Sequence, residues 1–184
     1  NSPAPAAPYT NWQTAAHVLQ DAVDACESGD TVIVTNGVYD VGGRPAPLWV
    51  STNRVMITNA IVVQSVNGAK ATVLRGQGPH GAAAVRCAYL TNGATLSGFR
   101  LENGYTPNHP LAPGDEDPVG GGAILSADCR LIGCDVVSNA AATLGGGVYG
   151  FPGATVEACS FEENSAAGGG GAAGRSADRR RAGQ

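Results

Sequence analysis

The sequence predicts an all-β solenoid, and the first observation behind this prediction is an internal repeat. The stretch from Gly120 to Ala167 contains one pattern twice, at an offset of twenty-five residues. Both copies consist of short apolar alternations separated by Gly, Asn and Ser, which is typical of short strands. A period of this length is typical of a solenoid, whose repeats bury their apolar faces against one another. The matching pairs are Gly122 with Gly147, Leu131 with Val156, Cys134 with Cys159, Val136 with Phe161, and Asn139 with Asn164.

A second observation is an earlier copy of the same unit, ATLSGFRLENG, from Ala94 to Gly104. Aligning Leu96 with Leu131 gives an offset of thirty-five residues, so we expect an insertion of ten residues. Its predicted place is the Pro- and Asp-rich stretch 105–119, YTPNHPLAPGDEDPV. Loops that leave a solenoid wall often carry binding groups.

Stacking these copies at the spacing of neighbouring strands, roughly 4.8 Å, predicts ladders of side chains. Asn139 and Asn164 are expected at a tight turn, where Asn adopts a left-handed backbone and bonds the turns above and below. The predicted inward ladders are Phe99/Cys134/Cys159 and Leu101/Val136/Phe161, and the outward ones are Arg100/Asp135/Ser160 and Glu102/Val137/Glu162.

Composition is the third observation. The 184 residues include 27 Gly and only 3 Phe, and 14% are charged, which suits a narrow core and disfavours a helical bundle. One domain is expected at this length. The sequence contains no run of eighteen apolar residues, so it does not predict a membrane-spanning helix. Residues 1–10 form a Pro/Ala-rich leader without the features of a signal peptide, and we interpret them as a mature terminus or linker.

Residues 11–28 contain the one helical pattern, with Asn11 as its predicted N-cap. Such a helix would cover the first strand edges of the solenoid. The expected core face holds Trp12, Ala15, Ala16, Leu19, Val23 and Cys26, and the expected polar face holds Gln13, Gln20, Asp21 and Asp24.

The same region carries a family resemblance. AAHVLQDAVDACESGDTVIVTNGVYD resembles the opening of pectin-lyase-like proteins, where a cap helix and a GDTV strand lead to a GVY turn. RVMITNAIVVQSVNGAKATVLRGQG and RCAYLTNGATLSGFRLENG are similar to later turns of bacterial secreted and surface β-helix repeat proteins. The resemblance implies a right-handed parallel β-helix over residues 29–171 and a bacterial extracellular or cell-surface location. That fold hosts lyases, hydrolases, adhesins and tailspikes, so it does not settle an activity.

Between Gly37 and Gly78, strands are predicted at Leu48–Val50, Val55–Ile57, Ile61–Val66 and Thr72–Leu74. Tyr39 and Trp49 are either exposed aromatics that stack on sugars or, as we favour, packing residues at corners.

Five cysteines need an explanation: Cys26, Cys87, Cys129, Cys134 and Cys159. Their spacing does not resemble a zinc site. Cys134 and Cys159 would lie one strand apart, within disulfide range, but we favour small apolar core residues in a ladder.

The end of the chain breaks the repeat. Residues 172–184 are predicted to be a basic, non-repeating and disordered tail. Its four arginines and one aspartate give residues 175–184 a net charge of +3, which leaves −7 for the rest of the chain. The acidic body argues against nucleic acid as a partner. An uncapped last turn predicts end-to-end self-association.

Two functions remain open, and no cofactor is required by the first. The favoured one is a non-catalytic extracellular or cell-surface module, adhesive or carbohydrate-binding, from a longer protein. The alternative is a fragment of a polysaccharide lyase acting on acidic glycans, with Ca²⁺ held by Asp115, Glu116 and Asp117 and an arginine as base. No catalytic residue is assigned. The candidate binding residues are Asp115, Glu116, Asp117, Arg100, Asp128, Arg130 and Asp135.

Overall fold

The computed structural model describes residues 2–46, 50–109 and 117–174. These ranges contain one short α-helix and sixteen strands. In chain order, they are α1 (Leu19–Asp24), β1 (Thr31–Val34), β2 (Gly37–Tyr39), β3 (Arg44–Pro45), β4 (Thr52–Ile57), β5 (Val62–Ser65), β6 (Thr72–Arg75), β7 (Val85–Leu90), β8 (Thr95–Ser97), β9 (Arg100–Glu102), β10 (Ala123–Leu125), β11 (Arg130–Ile132), β12 (Asp135–Val137), β13 (Val148–Gly150), β14 (Thr155–Glu157), β15 (Ser160–Glu162) and β16 (Ala172–Gly174).

The strands form three sheets. Sheet A has the order β1-β5-β8-β11-β14, sheet B the order β15-β12-β9-β6-β2, and sheet C the order β16-β13-β10-β7-β4-β3. Every pairing is parallel except that of β3 with β4. From β4 onward the chain visits C, A and B in a fixed cyclic order, and we call one such passage a circuit. This arrangement is consistent with the predicted β-solenoid.

The register of the later circuits confirms the predicted repeat. Leu131 pairs with Val156 and Val136 with Phe161, at the offset of twenty-five residues. Leu131 also pairs with Leu96, at the offset of thirty-five. The ten additional residues lie between two bridges, Tyr105 with Ala140 and Val119 with Leu144. The insertion therefore occupies the predicted stretch, of which residues 110–116 lie outside the described ranges.

One apolar core lies between the three sheets and receives side chains from all of them. The predicted inward ladders are confirmed, because Phe99 and Cys134 are fully buried and Leu101 and Val136 follow them in the same way. At the far end of these ladders, Cys159 and Phe161 are only half-buried. A smaller cluster of Val119, Ile124 and Tyr149 covers the outer face of sheet C.

The corner between sheets B and C is held by an asparagine ladder, as predicted. The side-chain amide of Asn139 donates to the Leu101 carbonyl (2.9 Å) and to Asn164 Oδ1 (3.0 Å). Asn164 repeats the pattern by donating to the Val136 carbonyl (2.7 Å). The prediction that these asparagines are left-handed is wrong, because the positive φ angles belong to the preceding residues, Ser138 (54°) and Glu163 (54°). Asn103 (53°) holds the equivalent position one circuit earlier.

The cap helix is shorter than predicted, at Leu19–Asp24 instead of 11–28. Asn11 Oδ1 accepts hydrogen bonds from the amides of Gln13 and Thr14 (both 3.0 Å) in a separate turn. The carbonyls of Gln13 and Thr14 accept hydrogen bonds from the amides of residues 4 and 6 in the leader, at 3.4 and 3.0 Å, so residues 11–18 pack against the leader. Trp12, expected in the core, is 56% exposed.

The short helix nevertheless covers the first edge of the fold. Leu19 and Val23 pack into the core. Gln20, expected on the polar face, is 5% exposed. Its amide bonds both main-chain groups of Met56 in β4, accepting from the nitrogen at 2.8 Å and donating to the oxygen at 3.0 Å. A side chain thereby occupies the place of a neighbouring strand.

Other boundaries differ locally from the prediction. The predicted strand at 48–50 falls largely on residues outside the described ranges, and Val50 is not in a strand. The predicted start of the tail at residue 172 is three residues too early, since Ala172–Gly174 form β16 and pair with β13. Residues 175–184 lie outside the described ranges.

Candidate functional site

The predicted outward ladder on sheet B is present, but Arg100 does not form its ion pair with a member of that ladder. Arg100, Asp135 and Ser160 are in register across β9, β12 and β15. Ser160 Oγ donates to Asp135 Oδ1 at 2.8 Å. Arg100, however, forms its ion pair within its own strand, with Nε 2.7 Å from Glu102 Oε2.

Glu102 joins two arginines, one of which the sequence reasoning missed. Arg75 lies in register with Glu102 and places Nη2 2.7 Å from Oε1. Partial burial alone would raise the pKa of Glu102, but the hydrogen bonds from Arg100 and Arg75 outweigh it and hold this pKa below its ordinary value. Arg75 also lies 3.7 Å from Asp40. The in-register position of Arg75 beside Glu102 is the feature from which this cluster could have been predicted.

The other predicted charged residues do not converge with Arg100 and Asp135. Arg130 lies in sheet A, where its Nη2 is 3.1 Å from Glu157 Oε2 in an exposed pair. Asp128 occupies a left-handed turn position with φ of 62°. Neither residue shares a sheet with Arg100 and Asp135, so the predicted set is distributed over separate surfaces.

Asp117, a predicted calcium candidate, is a buried residue that anchors main-chain amides. It is 3% exposed. Its two oxygens accept the main-chain amides of Val50 (2.8 Å) and Ser51 (3.0 Å). His109 Nε2 lies 3.7 Å from the carboxylate. Asp115 and Glu116 lie outside the described residues.

Arg86 also anchors the end of the insertion, and the sequence reasoning did not single it out. It is 1% exposed, in the middle of sheet C. Its guanidinium donates to the main-chain oxygens of Gly120 (2.8 Å), Asp117 (3.0 Å) and Val119 (3.0 Å). It also donates to Asn53 Oδ1 at 2.6 Å. The signal for it was one arginine within an otherwise apolar strand, VRCAYL. Arg86 and Asp117 together fix the end of the insertion to β4 and β7.

A separate concave surface lies at the N-terminal end. A cleft of about 930 Å³ separates the leader and residues 11–19 from β1 and β2, the edge strands of sheets A and B. The sequence reasoning missed it because its two walls are not part of the repeat. We call it the N-terminal cleft.

The N-terminal cleft is aromatic and uncharged. Of the seven large apolar side chains that are exposed in the described part of the chain, four line it: Trp12, Ile33, Val38 and Val41. Tyr9 and Tyr39 add two phenol rings. Among the described residues that line the cleft, none is an Asp, Glu, Lys or Arg.

Polar groups in the cleft are amides, hydroxyls and one imidazole. Asn11, Asn36 and Thr10 contribute to its lining. His17 Nε2 lies 2.9 Å from the Ser2 carbonyl oxygen, which fixes the leader to residue 17. Tyr39 donates its hydroxyl hydrogen to the Thr35 carbonyl (3.0 Å), which fixes the ring. The cleft thus offers apolar ring faces beside neutral hydrogen-bonding groups.

Within the described ranges, no three His, Cys, Asp or Glu side chains are grouped so that they could hold a metal ion. No helix in these ranges has the length and apolar character that crossing a bilayer requires. No family model, curated protein or solved structure matches this chain.

Proposed function

We propose that this protein is a non-catalytic carbohydrate-binding module of an extracellular or cell-surface protein, and that it binds a neutral oligosaccharide in the N-terminal cleft. The carrying observation is the uncharged aromatic lining of that cleft. Sugar rings present apolar C–H faces and a rim of hydroxyls, which match aromatic faces bordered by amides and hydroxyls. The absence of Asp, Glu, Lys and Arg among the described lining residues favours a neutral sugar over an acidic one.

The dimensions support a short oligosaccharide. Pockets that bury a small ligand measure about 300–1,000 Å³, and the cleft lies near the upper end of this range. One wall of the cleft is formed by β1 and β2, the edge strands of sheets A and B, and the main chain of an edge strand can offer hydrogen-bond donors and acceptors to sugar hydroxyls.

The proposal includes a right-handed parallel β-helix of the pectin-lyase-like kind as the scaffold. The cyclic order of the three sheets supports it, since crossovers between parallel strands are right-handed in about 98% of cases. A bacterial secreted or surface protein is the setting that the sequence resemblance implies.

The lyase alternative has less support from the described residues. Asp117, its one described calcium candidate, uses both carboxylate oxygens on main-chain amides. Arg100, a candidate binding residue, is paired with Glu102.

A glycan array followed by titration calorimetry tests the proposal. We expect binding of a neutral oligosaccharide, weakened about fivefold by Trp12→Ala, because one aromatic contact contributes about 1 kcal/mol. Val156→Ala is the matched control, since Val156 is exposed at the opposite edge of sheet A and should leave binding unchanged.

Two outcomes contradict the proposal. One is binding that Trp12→Ala and Val156→Ala weaken equally. The other is release of unsaturated product from pectate, alginate or chondroitin, with or without calcium, which would establish the lyase alternative.

A further inference from the structure

The corner between β11 and β12 stacks two cysteines on a phenylalanine. Each sulfur accepts a hydrogen bond from the circuit below: the Phe99 amide donates to Cys134 Sγ and the Cys134 amide donates to Cys159 Sγ, both at 3.4 Å. All five cysteines are free thiols. Cys134 is fully buried, whereas Cys159 is half-buried at the end of the ladder.

The two cysteines are direct neighbours across a strand pair. The Cys134 amide nitrogen lies 3.4 Å from Cys159 Sγ. They precede the paired residues Asp135 and Ser160, so they occupy equivalent positions on neighbouring parallel strands. Neighbouring strands lie about 4.8 Å apart, which falls inside the Cα separation of about 4.4–6.8 Å that disulfides span.

Their surroundings distinguish the two sulfurs. Cys159 is the more exposed of the pair, so it is the sulfur that a dissolved disulfide can reach. The neighbouring Cys134 lowers the pKa of Cys159 although burial opposes this shift, whereas burial raises the pKa of Cys26 and Cys129, and raises that of Cys87 to about 12. Both features favour Cys159, because the thiolate is the nucleophile in thiol–disulfide exchange.

We propose that Cys134 and Cys159 form a redox-active dithiol, in which Cys159 attacks a small-molecule disulfide and Cys134 resolves the product into an inter-strand disulfide. In the first step, the Cys159 thiolate bonds to one sulfur of the oxidant, whose S–S bond breaks and releases one thiolate. In the second step, Cys134 loses its proton, attacks the Cys159 sulfur and displaces the second thiolate. Both released thiolates take up protons. Two electrons and two protons thus pass from the cysteine pair to the oxidant, which becomes two thiols.

This dithiol would link two successive circuits covalently at the end where the core is least covered. The inference is independent of the N-terminal cleft, which lies at the opposite edges of sheets A and B.

Mass spectrometry of the oxidised protein tests the proposal. The native protein is incubated with oxidised glutathione, remaining thiols are alkylated, and the chain is cut with trypsin and a glutamate-specific protease. Cleavage after Arg130 and Glu157 separates Cys134, in peptide 131–157, from Cys159, in peptide 158–162. We expect these two peptides to be joined by a disulfide.

Single variants identify the roles of the two sulfurs. Cys134→Ser should trap Cys159 as a mixed disulfide with glutathione, and Cys159→Ser should leave Cys134 unmodified. Cys26→Ser is the matched control, because Cys26 is also half-buried but has a raised pKa, and it should leave the 134–159 linkage unchanged. Circular dichroism checks that each variant is folded.

Three results would overturn the proposal: no linked peptide in the folded wild type, glutathione on Cys26 at a rate equal to that on Cys159, or an unmodified Cys159 in folded Cys134→Ser.

Discussion

Asp117 offers the sharpest test of the structure, because a buried anchor and a calcium ligand respond differently to Asp117→Asn. In the wild type, both carboxylate oxygens accept main-chain amides at 2.8 and 3.0 Å. Asparagine keeps one acceptor oxygen and turns an NH₂ group toward the other amide. A hydrogen bond to a charged group contributes about 1.5–3 kcal/mol. Asp117→Asn loses one such bond and places its NH₂ group against a main-chain N–H, so it should lower the free energy of unfolding by about 2–4 kcal/mol.

Thermal unfolding followed by circular dichroism measures this cost. At this chain length, 1 kcal/mol corresponds to about 2–4 °C, so we expect Asp117→Asn to lower the Tm by roughly 5–15 °C. Asp135→Asn is the control, since its carboxylate receives only the Ser160 hydroxyl among described partners, and it should cost less than about 1 kcal/mol. Equal Tm losses in the two variants would refute the buried anchor.

Calcium provides the second arm of the same experiment. If Asp117 serves the main chain, calcium chloride and EDTA should give the wild type the same Tm. A calcium-dependent rise in Tm that Asp117→Asn abolishes would make the carboxylate a metal ligand and refute the argument.

Three further predictions concern other parts of the fold. Gln20→Leu removes both side-chain bonds to the edge of β4 and should lower the free energy of unfolding by about 2 kcal/mol or more in urea titrations, whereas exposed Gln13→Leu should not. Gly104→Ala should lower the free energy of unfolding by about 3 kcal/mol, because a Cβ there would overlap a main-chain oxygen of the next circuit. Gly133→Ala is the control and should cost about 1 kcal/mol, because Gly133 has open space around it but a positive φ. Equal costs in the two variants would contradict this packing. Glu102→Gln should lower the Tm at pH 7, and this loss should shrink as the pH falls below about 4.3. The carboxylate's depressed pKa gives stability that is complete above its unfolded value of about 4.3 and is lost as the pH falls through the folded value. A Tm difference that is constant with pH would exclude this linkage.

The periodic part of the structure could be predicted from the sequence. A fixed offset places equivalent residues on neighbouring strands, so the register of Leu131 with Val156 and the position of the insertion followed directly from the repeat. The outward place of Arg100 beside Asp135 followed in the same way, because side chains alternate along a strand.

Features that depend on unrelated segments could not be predicted. The helix is limited to Leu19–Asp24, while the preceding segment bonds the leader, and no local pattern in 11–18 indicates this contact. The carboxylate of Asp117 accepts hydrogen bonds from main-chain amides that lie sixty-seven and sixty-six residues away in sequence. The N-terminal cleft likewise needs the leader and the first two strands to be placed together.

The short sequence separation of paired strands also determines how this chain can fold. In the later part of the chain, a strand pairs with one that lies twenty-four to thirty-five residues away in sequence, whatever the total length. The entropy of loop closure is therefore spread over similar modest steps, and each completed circuit exposes a template edge for the next. Such a chain can grow from its helix-covered end toward its carboxyl end in the order in which the ribosome delivers it.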